Sequence, residues 1–159
     1  MNVSLYSKNQ IQDLLQMYIT QLGIDKANKS KISFITLETP PFKSYQYQKE
    51  TLIKKGIQLL KQIGAVRAVY IAVYCWIKND LLAWHLHIIV QTKEILKTDY
   101  LLAQWQSLYK SISKQQVFIS SIYDIEDLTS YFALNFTDKL TGNLKHVTAK
   151  DIKHFISLE

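Results

Sequence analysis

Trp84-His85-Leu86-His87-Ile88-Ile89-Val90 is the stretch that decides how this chain is to be folded. Two histidines stand two apart inside an apolar run. As a β-strand the run sends successive residues to opposite faces, and residues two apart lie roughly 6.5 Å from each other along the strand. His85 and His87 then project together, while Leu86, Ile88 and Val90 turn the other way into a core. Two neutral imidazoles on one rigid strand can chelate a divalent metal. The same pair can equally be ordinary histidines, partly buried and satisfied by hydrogen bonds. The rest of the chain has to decide between the two readings.

Immediately before this stretch, Val66 to Ile77 is a long β-type run, and Lys78-Asn79-Asp80 is a polar turn signal. The two runs form an antiparallel hairpin. Upstream, Lys31 to Thr39 alternates and is rich in β-branched residues, so it reads as a strand, stopped by Pro40-Pro41. A helix follows from about Tyr45 to Ile63, with Leu52, Ile53, Ile57 and Leu60 on one face and Gly64 after it. At the N-terminal end, Ser7 to Gln10 is a capping box, Ile11 to Leu22 carries helical spacing, and Gly23 ends the run.

Downstream of the histidines, Thr98 is an N-cap for a helix bearing Leu101, Leu102, Trp105, Leu108 and Tyr109. Val117 to Tyr123 is a further strand, and Asp124 opens a helix to about Leu140, ended by Gly142. Thr148-Ala149-Lys150-Asp151 then starts a short final helix through Phe155. The order α-β-α-β-β-α-β-α-α, with one hairpin in the middle, is the split βαβ pattern. It predicts one α+β domain over residues 1–159, an antiparallel sheet with helices packed on it and an extra N-terminal helix at about 8–23.

The 159 residues suffice for one domain with a proper core, and with 4 Gly and 2 Pro the chain is neither disordered nor collagen-like. No apolar stretch is long enough to span a bilayer, and MNVSLYSKNQ lacks the pattern of a signal peptide. Cys75, the single cysteine, reads as a small buried hydrophobe. One thiol makes no intrachain disulfide, which suits a cytoplasmic location. The net charge is +6, from 19 basic and 13 acidic residues, and Arg67 is the only arginine. Lysines bind phosphate as mobile point charges, whereas arginine forks read base edges. Nucleic acid is thus a plausible partner, although charge alone is weak evidence for it.

On a wheel of 100° per residue, Ile125, Leu128, Phe132, Phe136 and Leu140 fall on one stripe of the late helix and form its core face. Asp124, Tyr131, Asn135 and Asp138 form a polar stripe beside it, with Lys139 between. Tyr131 and Asn135 are four apart and can meet a common partner. A tyrosine at the rim of a buried stripe is also commonly just half-buried packing.

Three segments in order resemble the HUH endonucleases, and among them the rolling-circle replication initiators of small plasmids and viruses. Phe34-Ile35-Thr36-Leu37-Glu38-Thr39 is similar to the family's first motif, a strand reading roughly FLTLT. His85-Leu86-His87 matches its second, His-hydrophobic-His, with Trp84 before it. Ser130 to Lys139 is similar in placement to the third, a helix carrying a nucleophilic tyrosine with a lysine nearby. There the pattern departs from the common Tyr-x-x-Lys-Tyr-x-x-Lys. Aligned on Lys139, Phe132 and Phe136 stand in the tyrosine positions and Asn135 in a lysine position. Either Tyr131 is the nucleophile in a shifted register, or the phenylalanines mark an inactive or altered copy, or the alignment is wrong. The wheel favours the first, because Phe132 and Phe136 lie towards the core. Single-tyrosine HUH transposases carry a metal-binding amide four residues after the tyrosine, a spacing that Tyr131 and Asn135 reproduce.

The resemblance implies a ferredoxin-like HUH-nuclease topology and a divalent ion, Mn²⁺ or Mg²⁺, held by His85, His87 and a third ligand. Asn135 is the candidate for that ligand, with Glu38 and Asp80 as fallbacks. It implies metal-dependent nicking and joining of single-stranded or origin-hairpin DNA, with Tyr131 forming a 5′-phosphotyrosine link and Lys139 stabilising charge. Lys139 can equally be an exposed lysine in a salt bridge. Bases would stack on aromatics such as Tyr70, Tyr74, Trp76 and Trp84, though most of those rings suit a core better. The sequence carries no helicase-like segment, so a host helicase and polymerase are expected partners, and a membrane is not. The runner-up readings are an HUH transposase or relaxase, a catalytically silent DNA-binding relative, and an unrelated α+β domain with structural histidines.

Overall fold

In a computed structural model, the residues described are 8–38, 45–76, 82–108, 117–121 and 152–157. Among them are three α-helices and five β-strands. The helices are α1 (Lys8–Leu22), α2 (Tyr45–Gln62) and α3 (Thr98–Leu108). The strands are β1 (Ile32–Glu38), β2 (Ala65–Trp76), β3 (Leu82–Thr92), β4 (Val117–Ser121) and β5 (Lys153–Ile156). All five strands join one sheet in the order β4-β1-β3-β2-β5, and every neighbouring pair is antiparallel. The fold is therefore α+β. β3 runs between β1 and β2, the two strands on either side of α2 in the sequence. β1 likewise runs between β3 and β4, the two on either side of α3.

The period-2 patterns of β1 and β3 are apolar on both faces, so the sheet is buried from both sides. On one side, Ile35 and Leu37 of β1 and Leu86, Ile88 and Val90 of β3 pack with Leu52, Leu59 and Leu60 of α2 and Leu101 and Trp105 of α3. On the other side, Phe34, Ile71 and Ile89 pack with Leu15 and Ile19 of α1. α1 ends at Gly23, whose φ of 75° is open to glycine at little steric cost. Arg67 reaches across from β2, and its Nη1 donates to the Leu22 carbonyl at 2.6 Å. A side chain on Gly23 would come within 2.7 Å of that same nitrogen. The only arginine of the chain thus caps a helix.

The final helix expected from Thr148 through Phe155 has its start, residues 148–151, outside the described residues, and the rest of it is not helical. Residues 153–156 are a strand, paired antiparallel with β2 from Arg67↔Ile156 to Tyr70↔Lys153. Without β5 the backbone donors and acceptors of β2 along this edge would be unpaired, and the ladder satisfies them. A tertiary contact of that kind overrides a weak local helix preference. The strand expected over Val117 to Tyr123 is present from Val117 to Ser121. The helix expected over Asp124 to Leu140 lies outside the described residues. Among the described residues no helix is long and apolar enough to cross a membrane.

Trp105 is fully buried between α3 and the sheet. Trp105→Ala is expected to destabilise the fold by about 3–5 kcal/mol, through lost apolar contact and a residual cavity. Urea unfolding followed by circular dichroism measures the loss.

Candidate metal and nucleic-acid site

The hydrogen-bond ladder between β1 and β3 sets Thr36 directly opposite His87 and Glu38 directly opposite His85. Directly opposed residues share a face of the sheet. All four therefore lie on the α1 side, as do Phe34 and Ile89 in the next row. The two imidazole centroids are 6.0 Å apart, with the rings tilted by 59°. His87 lies flat on the ring of Phe34, at 5.8 Å between centroids and 4° between planes. Its Nδ1 is 3.0 Å from Oγ1 of Thr36, a hydrogen bond. Nδ1 of His85 is 3.9 Å from Oε1 of Glu38, too long for a hydrogen bond.

Both histidines are buried, His85 to 8% exposure and His87 to 4%. Burial disfavours the charged ring, because an apolar surround cannot solvate it. It pulls the pKa of His85 down to about 4. Burial, followed by the neighbouring charge of His85, pulls His87 down to about 3. Burial also pushes the carboxyl of Glu38 up. At neutral pH the two rings are therefore uncharged and keep a nitrogen lone pair each. The Nε2 atom of His85 is buried and has no hydrogen-bond partner. A buried polar atom left unsatisfied costs about 1–3 kcal/mol and calls for an explanation.

A divalent ion would supply one. Neutral imidazoles are good ligands for first-row divalent metals, and an ion on Nε2 would satisfy the orphaned atom. The two imidazoles would supply two ligands to such an ion. Among the described residues, no three His, Cys, Asp or Glu side chains are grouped so as to hold a metal. Glu38, the fallback third ligand, stands beside Nδ1 of His85, the nitrogen on the opposite edge of the ring from the orphaned one. Asn135, Asp80, Tyr131 and Lys139 lie outside the described residues.

Of the rings named from sequence as possible stacking surfaces, two take the core reading. Tyr70 and Trp84 are 8% and 5% exposed and belong to the core on the α2–α3 side, away from the histidines. Residues adjacent in a strand face oppositely, so Trp84 cannot share a face with His85. Its ring instead packs beneath Nζ of Lys49, 5.2 Å from the centroid. Phe118 of β4 is the aromatic that sequence reading missed. It pairs with Thr36, which pairs with His87, so the three form one row across the sheet. Its side chain is 47% exposed. Thr36 and Phe34 were missed as partners of His87 too. Their alternation in β1 was visible, but the register that brings them to His87 was not.

Comparison with protein-family models, curated proteins and solved structures gives no match.

The depressed histidines make stability pH-dependent in a definite sense. Unfolded histidine titrates near 6.5, and the folded rings near 4 and 3. Between those values the unfolded chain binds more protons. The contribution to stability is whole above pH 6.5 and is lost as pH falls towards 3, on the order of a few kcal/mol. The raised carboxyl of Glu38 acts in the opposite sense just above pH 4.5, as a smaller correction. Urea midpoints measured from pH 7.5 down to 4 are expected to fall steadily, and the slope is expected to flatten in a His85→Gln, His87→Gln double variant.

Proposed function

We propose that this chain is a metal-dependent endonuclease of the HUH type, acting on single-stranded DNA as a rolling-circle replication initiator does. The observation that carries the reading is the pair of buried, neutral imidazoles on one face of β3, with Nε2 of His85 left without a partner. The strand order β4-β1-β3-β2, with β3 between β1 and β2, supports a ferredoxin-like split βαβ arrangement. β5 is an additional strand beside β2. The positive net charge of +6 favours a polyanionic substrate.

In this reading His85 and His87 hold the divalent ion and Asn135 completes the set. The ion, when bound, polarises a phosphodiester and neutralises the charge that develops on it. Tyr131 is the nucleophile. Its phenol oxygen loses a proton and bonds to phosphorus, and the bond from phosphorus to the 3′ oxygen breaks. That oxygen takes up a proton and leaves as a 3′-hydroxyl. Lys139 stabilises negative charge at the reacting oxygens. Phe118, exposed in the row of Thr36 and His87, is a platform for one base of the strand. The host supplies helicase and polymerase. A DNA-binding relative without nuclease activity is the second reading, favoured by Phe132 and Phe136 standing where the family has tyrosines.

With Mn²⁺ and single-stranded origin DNA, the protein is expected to form a covalent adduct that survives a denaturing gel. Tyr131→Phe and His85→Ala are each expected to abolish it. An adduct that persists in Tyr131→Phe would move the nucleophile to another residue. Salt-sensitive binding without any adduct would favour the silent relative. Phe118→Ala is expected to weaken binding of a single strand by about 1–3 kcal/mol, measured by fluorescence anisotropy.

A further inference from the structure

We infer that a groove at the end of the sheet, lined by Lys61, Lys93, Lys97 and Tyr100, is a second binding surface for single-stranded nucleic acid; it extends the substrate reading above and uses neither the histidines nor a metal. Two open hollows, of about 450 and 510 Å³, adjoin there and share Gly64 and Lys93 in their lining. Clefts of that size hold small ligands. Gly64 follows α2 with a φ of 72°, and a Cβ there would meet no atom within 4 Å, so the lining at this point is bare backbone. β3 ends at Thr92, five residues past His87, which sets the groove about 16 Å from that ring along the strand.

All three lysines are exposed. Lys61 and Lys93 line one hollow, Lys93 and Lys97 the other, and Glu94 is the one carboxylate among the lining residues. The local field therefore favours an anion, and an ammonium meets phosphate oxygens as a mobile point charge. Apolar groups gather here as well. Of the five large apolar side chains exposed among the described residues, Ile95, Tyr100 and Ile156 line these hollows. Exposed apolar groups collected within a polar rim mark a contact surface. Tyr100 is 46% exposed, yet its hydroxyl donates to the Gln62 carbonyl at 3.3 Å, which holds the ring in one orientation. A fixed, open ring beside cations suits a single strand, whose bases stack on the ring while its phosphates meet the lysines. A duplex keeps its bases stacked inside and has none to offer Tyr100. The hollows are concave, so the flat face of a bilayer does not reach their lining.

Fluorescence anisotropy of a labelled oligothymidine in EDTA, where no metal takes part, tests the groove. Wild-type protein is expected to bind, with an affinity that falls as salt rises. Lys61→Gln, Lys93→Gln and Lys97→Gln together are expected to flatten the slope of log affinity against log salt by about 2, and to weaken binding about 100-fold near ~0.1 M salt, as the loss of three single-strand phosphate contacts requires. Tyr100→Ala is expected to weaken binding roughly 10-fold, and Tyr100→Phe, which keeps the ring, to weaken it less. All four side chains are exposed, so thermal melting is expected to change little in these variants. Lys26→Gln, Lys29→Gln and Lys54→Gln together remove the same formal charge outside the groove and are expected to leave the slope nearly unchanged. An equal loss in that control would overturn the inference in favour of diffuse attraction. So would absence of binding by the wild type in EDTA, or tighter binding of a duplex than of the single strand. Equal binding of polyglutamate at these lysines would overturn it too and assign the groove to an acidic protein partner. The covalent adduct is read separately. Groove binding without any adduct would support the inference and remove the nuclease reading, whereas an adduct together with lysine variants that bind like wild type would do the reverse.

Discussion

The backbone ladder joining β1 to β3 is the constraint on which the rest depends. It sets seven residue pairs in register, from Ile32↔Gln91 to Glu38↔His85. Because directly opposed side chains share a face, the ladder assigns every residue it pairs to one side of the sheet or the other. Ile35, Leu37, Leu86 and Ile88 go to the side of α2 and α3, and Phe34 and Ile89 to the side of α1. The same pairings place Thr36 and Glu38 against the two histidines. Packing and site are therefore two results of one set of hydrogen bonds. Neither histidine depends on a flexible loop for its position.

Burying two imidazoles in such a place works against stability unless something offsets it. The rings answer partly by giving up their charge, which is what depressed values near 4 and 3 mean. Thr36 and the face of Phe34 accommodate His87. His85 is left with one unsatisfied nitrogen. Proteins commonly carry local penalties of this kind where function requires them, while the surrounding core keeps the geometry. Here that core includes fully buried side chains on both sides of the sheet, Leu15 and Ile19 on one and Leu59 and Trp105 on the other.

Much of this fold was legible in the sequence, because the elements carry strong periodicity. The alternation from Lys31 to Thr39 and the hairpin around Lys78-Asn79-Asp80 located β1, β2 and β3 to within a residue or two, and helical spacing located α1, α2 and α3. The shared face of His85 and His87 followed from strand parity alone. What the sequence did not show is register between strands distant in the chain. Fifty-one positions separate Thr36 from His87, and nothing local announces their contact. Trp84 was named as one possible stacking ring, but the core reading preferred for most such rings is the one that holds, and its own parity places it opposite His85. Phe118 attracted no notice because a lone phenylalanine in a five-residue strand gives no sign of exposure. β5 was misread because Lys153 to Ile156 is too short to declare its type, and only the edge of β2 makes it a strand.

Strand parity at β3 also bears on how a lineage of such chains could drift. Losing or gaining one residue inside β3, between the histidines and the start of the strand, would shift part of the ladder by a single step and invert its faces. Imidazoles would then enter the greasy layer beneath α2, and leucine and isoleucine would take their places. Two residues gained or lost together would restore the parity while changing which neighbours meet. Length variation at this sheet is thus tolerable in even steps within the strands.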